Sequence, residues 1–180
     1  MLDSHCHVNQ LVYESDEEVD QVIERAKMAG VDTLITIGSG YGVAATTAAV
    51  YTAHRHSNVF ASVGIHPHDA SEWNDEVHRE LHRLSADPKV VAIGEMGLDF
   101  YYKRSPREQQ RMVFRQQIQL AKETNLPIII HDRESNGETF DILCEEQAFG
   151  IRNYKSSISS NDDNIIIFIY FSSTRTSASF

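Results

Sequence analysis

The first 150 residues alternate short runs rich in β-branched residues with longer segments of helical spacing, and this rhythm restricts the fold more than any other feature of the chain. The runs Met1–Val8, Val31–Ile37, Val59–Ile65, Val90–Glu95 and Leu126–His131 predict strands. The first intervening segment carries Ser15 as an N-cap with Glu18 three residues on, a capping box. Val19, Val22, Ile23, Ala26 and Ala29 then share one helix face, and Gly30 closes the helix. A later helix opens at Ser105, Pro106 and Glu108, with proline predicted at its first position. Repeated β-then-α units imply a parallel sheet with right-handed crossovers, and about five units fit before residue 150.

That pattern admits an open doubly wound sheet or a (β/α) barrel. No phosphate-cradling glycine loop follows the first strand, which weakens the doubly wound reading. The conspicuous polar residues fall at the C-terminal ends of predicted strands, where barrels place their chemistry. The expected fold is therefore α/β: a TIM-type (β/α) barrel, incomplete, over residues 1–149.

Beyond Gly150 the character changes. The tail IRNYKSSISSNDDNIIIFIYFSSTRTSASF holds eight serines and one apolar run, Ile165–Phe171, with no βα rhythm. We expect residues 150–180 to be an atypical, disordered tail of a truncated or frame-disrupted gene product. The apolar run is an aggregation hazard if unpaired. Five strands would leave two parallel sheet edges open and an apolar inner face uncovered unless the tail or a second chain covers them, so poor stability and weak or no activity are expected.

The chain has 180 residues, 41% of them hydrophobic, and a formal net charge of −10. That charge argues against nucleic-acid binding through a broad basic surface. It leaves room for a nuclease whose bound cations supply positive charge locally. No secretory signal or membrane-length apolar run is visible, and two cysteines make no disulfide framework. The expectation is a cytoplasmic protein with no membrane contact and no stable protein partner.

The first predicted strand ends in Asp3-Ser4-His5-Cys6-His7. Residues two apart share one side of a strand, so His5 and His7 can face one metal ion, and Asp3 has the parity to orient an imidazole. Imidazole pairs suit Zn, Mn, Fe or Ni. The third strand runs into Gly64-Ile65-His66-Pro67-His68, where proline stiffens the turn and the histidines can touch substrate or metal-bound water. The fourth ends on Glu95 inside Gly94-Glu95-Met96-Gly97-Leu98-Asp99; a carboxylate there is costly to bury unless something positive pairs with it. The flanking glycines suit a plain turn equally well. The fifth ends on His131, followed by Asp132 and Arg133, a ligand beside a phosphate clamp or an ordinary Arg–Asp surface pair. His54, His56, His78 and His82 lie in helical stretches with no partner at ligand spacing. Glu17-Glu18 and Glu145-Glu146 read as solvated helix faces, and Trp73 and the tyrosines as packing residues instead of a base-stacking platform.

The strings DSHCH, GIHPH, IGEMGLDF and IIIHDR, in this order at these strand ends, resemble the TatD family of metal-dependent hydrolases. Glu138, Thr139 and Ile142 after HDR fit the same family. The likeness covers residues 1–149. It implies a (β/α)₈ barrel with one or two divalent ions (Mg, Mn or Zn) that hydrolyses phosphodiester bonds of DNA, as an exonuclease, by metal-activated water. On that likeness His5, His7 and Glu95 bind the first ion, Glu95 and His131 the second, and Glu95 is catalytic. His66, Asp99 and Arg133 belong to the substrate surface. The family's later histidine and aspartate ligands have no counterpart here, and nothing is carried onto Asp162 or Asp163. The alternatives are an amidohydrolase or deacylase of small molecules, and a non-catalytic remnant or interaction module.

Overall fold

The computed structural model describes residues 1–148 and the backbone of Ile165–Ile169. One sheet runs in the order β1 (Leu2–Cys6), β2 (Thr33–Gly38), β3 (Val59–Val63), β4 (Val90–Asp99), β5 (Ile128–Arg133) and β6 (Ile165–Ile169). The first five strands pair in parallel, each with its sequence neighbour, and the sheet is the curled part of a barrel. Between them lie α1 (Asp16–Met28), α2 (Gly42–Arg55), a 3₁₀ turn (Pro67–Glu72), α3 (Asp75–Ser85) and α4 (Arg107–Thr124), with α5 (Glu138–Glu145) after β5. The incomplete barrel expected from the βα rhythm is the architecture found.

Local chemistry explains the boundaries. Ser15 Oγ accepts the Glu18 amide, but Glu18 returns to the amide of Glu14, so the box is not reciprocal. Gly30 at φ +87° ends α1 in the left-handed region that glycine enters at least cost. The start of α4 differs from expectation: Pro106 occupies the cap and the helix begins at Arg107. Ser105 Oγ serves elsewhere, donating to the His68 carbonyl at 2.7 Å and accepting from Ser71.

The largest correction concerns β4, which continues four residues past Glu95 to Asp99. Gly94 and Gly97 are not turn residues. They lie inside the strand at φ +137° and +142°, where a side chain at 97 would place Cβ 2.0 Å from the His131 carbonyl oxygen. Glycine is required because the backbone of β5 approaches too closely for any other residue.

Helices cover the outer face of the sheet, α2 lying on β2 and β3 and α4 on β4. The main core joins Val59, Ala61, Val63, Ile93 and Ile128 of the sheet to Ala49, Leu81, Phe114 and Ile118 of the helices. On the opposite face of the sheet Ile37, Ala92 and Ile129 form a second, smaller buried cluster. Of the Ser-rich tail, Ile165–Ile169 forms a strand antiparallel to β5, so that part of the apolar run is paired. The remaining expectations for residues 150–180, including those for Asp162 and Asp163, lie outside the described residues. Among the described residues no helix is long and apolar enough to cross a membrane.

Candidate metal centre

The C-terminal ends of β1, β3, β4 and β5 bring His5, His7, His66, His68, Glu95, Asp99, His131 and Arg133 to one cleft of about 280 Å³. Two donor sets form there. One atom each from His5, His7 and Glu95 lie within 4.8 Å of one another, and so do atoms of His66, Glu95 and His131. Glu95 belongs to both.

The strand ends dictate this arrangement. β1 stops at Cys6, so His5 lies on the strand while His7 follows it, their rings 5.4 Å apart and steeply inclined. Asp3 does not orient an imidazole: its Oδ1 accepts the backbone N–H of His5 at 3.0 Å. His5 Nε2 stands 3.6 Å from Glu95 Oε2, and its buried Nδ1 has no hydrogen-bond partner. Burial lowers the His5 pKa, which keeps the ring neutral with a lone pair to offer. Cys6 between them is no candidate ligand, since its thiol donates to the Ile35 carbonyl and burial pushes its pKa to about 12.

Glu95 is buried, and Ser39 Oγ, just after β2, accepts its amide at 3.3 Å. Burial alone would raise its pKa; the hydrogen bond from His131 and the neighbouring His66, His131 and His5 rings outweigh it and hold the carboxyl down to about 2. His131 stands between two carboxylates, Nδ1 at 3.0 Å from Glu95 Oε1 and Nε2 at 3.1 Å from Asp99 Oδ2. Burial opposes its charge, but these two bonds raise its pKa to about 9, so both ring nitrogens carry protons at neutral pH.

His66 behaves oppositely. Burial lowers its pKa to about 3, and its Nδ1 accepts the His68 amide at 3.1 Å. The proton of the neutral ring is thereby assigned to Nε2, which points at the Glu95–His131 side of the cleft, 3.3 Å from His131 Nδ1. His66 is a donor toward that space as it stands. Asp99 accepts from four groups: Oδ2 from His131 and from His68 Nε2 at 2.8 Å, Oδ1 from the amides of Tyr101 and Tyr102. Burial raises the Asp99 pKa, but these donors, His131 foremost, bring it well below the usual carboxylate range. Asp99 lies one shell behind the donor sets, holding their histidines.

Arg133 makes no ion pair with Asp132. Its guanidinium lies 4.2 Å from the ring centre of Tyr101 and 4.8 Å from that of Tyr102. Those two tyrosines are not buried packing residues: both are half-exposed, and Tyr102 lines the cleft. Sequence reasoning also missed Gln110 and Gln117, buried on α4. Gln117 grips the Ile65 N–H and C=O, and Gln110 grips those of Asp99, fixing the strand ends that carry the site. The signal was available, since two glutamines seven residues apart share one helix face. The set-aside histidines lie elsewhere, His54 on Asp87, His56 on Asp20 and His78 beside Trp73. Glu145 and Glu146 are not simply solvated, for both pair with Arg115.

The donor set fits a divalent metal. Two imidazoles and a shared buried carboxylate form one set, one of its imidazoles (His5) has a buried nitrogen without a hydrogen-bond partner, and a second set adjoins through the same carboxylate.

Comparison with known proteins agrees. The sequence profile of the TatD related DNase family matches residues 2–177. The chain is 42% identical over 148 residues to the uncharacterized metal-dependent hydrolase YabD of Bacillus subtilis, covering 82% of this chain and 56% of that protein. It is 38% identical over 128 residues to the 3'-5' ssDNA/RNA exonuclease TatD of Cronobacter turicensis, covering 71% of this chain and 48% of the relative. The crystal structure of YJJV, a TatD homolog from Escherichia coli, superposes with a TM-score of 0.73 at 25% identity, over 87% of this chain and 61% of that one. The chain thus spans about half the length of the curated relatives it matches. Profile, relatives and fold coincide on one conclusion: this chain belongs to the TatD-related DNase family of metal-dependent hydrolases.

Proposed function

We propose that the chain acts in hydrolysis of phosphodiester bonds at the ends of DNA, as an exonuclease. The observation that carries this reading is the pair of donor sets sharing the buried Glu95. The relatives named as 3'-5' ssDNA/RNA exonucleases support the substrate class. His5, His7 and Glu95 would hold one divalent ion, and Glu95 with His131 a second. When bound, such ions supply an activated water and positive charge for the attacking and leaving oxygens. Glu95 is then the central catalytic residue, because its two oxygens face different donor sets.

The remaining residues have separable tasks. His131 must give up its Nδ1 proton to act as a ligand, while Asp99 keeps its ring oriented through Nε2. His66 Nε2–H is placed to donate to a phosphate oxygen entering the cleft. Arg133 offers the planar donor pattern that matches two phosphate oxygens.

The test is end-labelled single-stranded DNA incubated with the full chain and Mg, Mn or Zn. We expect stepwise shortening that EDTA stops and that Glu95→Gln reduces by at least about 100-fold. Equal cleavage by the Glu95→Gln protein, or no cleavage with any of the three ions, rules the reading out.

A further inference from the structure

The loop after β4 reads Phe100-Tyr101-Tyr102-Lys103-Arg104-Ser105, and its Tyr102 lines the metal cleft. Tyr101 and Tyr102 are 51% and 50% exposed, their rings 4.8 Å apart and perpendicular. Tyr51 is as exposed, but its hydroxyl donates to Asp16, and it does not line the cleft. Tyr102 does, its ring 5.4 Å from that of His68.

The loop is held rigidly. Asp99 Oδ1 accepts both tyrosine amides, at 3.1 and 2.9 Å, and the Phe100 amide bonds the Arg133 carbonyl at 2.9 Å. The Phe100 ring is buried beneath the guanidinium of Arg107 at 4.3 Å. The other oxygen of Asp99 holds His131, so the aromatic wall and the second donor set share one anchor. A group on that wall would therefore be registered against the metal site.

Cations also gather here, although Arg25, Lys27, Arg79, Lys89 and Lys122 elsewhere likewise have no carboxylate within 4.0 Å among the described residues. Arg55, Arg83, Arg111 and Arg115 are all consumed in ion pairs with carboxylates. Around the tyrosine loop, Lys103, Arg104, Arg107 and Arg133 have no carboxylate within 4.0 Å among the described residues, in a chain whose formal net charge is −10. Arg133 Nε has no hydrogen-bond acceptor at all. Half-exposed rings with guanidiniums over them, Arg133 on Tyr101 at 4.2 Å and Arg104 on Tyr102 at 5.6 Å, match the chemistry of an unpaired nucleotide: a base for the exposed ring area, a phosphate for the guanidinium.

We propose that Tyr101, Tyr102, Arg104 and Arg133 form a stacking platform for an unpaired nucleotide beside the scissile phosphate. This rests on the nuclease reading for the reacting group, but the platform itself works without metal. The test measures binding of the full chain, in EDTA and low salt, by fluorescence anisotropy. The probes are a thymidine decamer and a decamer of abasic sites with the same number of phosphates, each labelled at the end away from the cleft. We expect the thymidine decamer to bind at least about tenfold more tightly. Tyr102→Ala should bring the two within about twofold, with unchanged circular dichroism, whereas Tyr102→Phe should keep the preference, because the ring face and not the hydroxyl is used. Equal affinity of the wild type for both probes, including binding of neither, overturns the platform, and so does a preference that survives Tyr102→Ala. Metal-dependent cleavage without base preference sinks the platform alone. Base-dependent binding with no cleavage under any ion leaves the platform standing and sinks the nuclease reading.

Discussion

His131 is the residue on which the charge balance of the site turns. Its two ring nitrogens donate to Glu95 and Asp99, and the bonds raise its pKa from 6.5 to about 9. A histidine whose folded pKa exceeds its unfolded one stabilises the fold fully below the unfolded value. That stabilisation is lost as pH rises through the folded value, so the window here runs from 6.5 to about 9. In EDTA, urea unfolding should therefore give a free energy lower by at least about 1 kcal/mol at pH 9.5 than at pH 6.5. His131→Asn should flatten that difference, although other groups still titrate. Equal stability of the wild type at the two pH values contradicts the ion-paired geometry. The sequence places His131 at a strand end but could not reveal its protonation, which depends on Asp99 standing on the same strand as Glu95. Glycines at 94 and 97 disguise that continuity, because close approach of two strands and a tight turn demand the same residue.

At the scale of elements, α4 works as a clamp. Gln117 Oε1 accepts the Ile65 N–H at 2.8 Å and its Nε2 donates to the Ile65 carbonyl at 3.0 Å, one residue before His66. Gln110 does the same for Asp99 and adds the Ser105 carbonyl. These carbonyls and amides end their strands in a buried region, so without the glutamines they would lose their partners. Gln117→Leu should cost about 2–4 kcal/mol in denaturant unfolding, while the exposed Gln119→Leu should stay within about 0.5 kcal/mol. A loss at 117 no larger than at 119 would show that the clamp carries no stability. The strands and helices were legible from periodicity because burying one face dictates apolar spacing. The clamp was not, because pattern reading assigns every polar residue to solvent, and only the finished fold shows strand ends with unpaired backbone on that face. The aromatic wall escaped for a related reason: Tyr101 and Tyr102 have packing chemistry, and their exposure depends on how Asp99 folds the loop back.

For the whole molecule, curling matters most. Parallel strands paired in sequence order carry His5 on β1 to within 3.6 Å of Glu95 on β4, across two intervening strands. The donor sets thus connect the first, third, fourth and fifth strands at one end of the sheet, whereas the glutamines of α4 tie only the ends of the third and fourth. An ion bound there joins strands distant in sequence and binds only the folded chain, so it must add to stability by mass action. At a free ion concentration of about 100 times Kd the gain is about 2.7 kcal/mol, which for a chain of this size raises Tm by roughly 5–10 °C. Calorimetry across a Mn or Zn titration should show Tm climbing with the logarithm of ion concentration. Glu95→Gln, which removes the carboxylate common to both sets, should abolish most of that climb, while His82→Ala on the exposed face of α3 should leave it intact. A Tm indifferent to either ion, or a climb retained in the Glu95→Gln protein, would mean that the two donor sets do not act together as a metal staple. The comparison is internally controlled, since Glu95 lies beneath the cleft and His82 outside it in the same molecule.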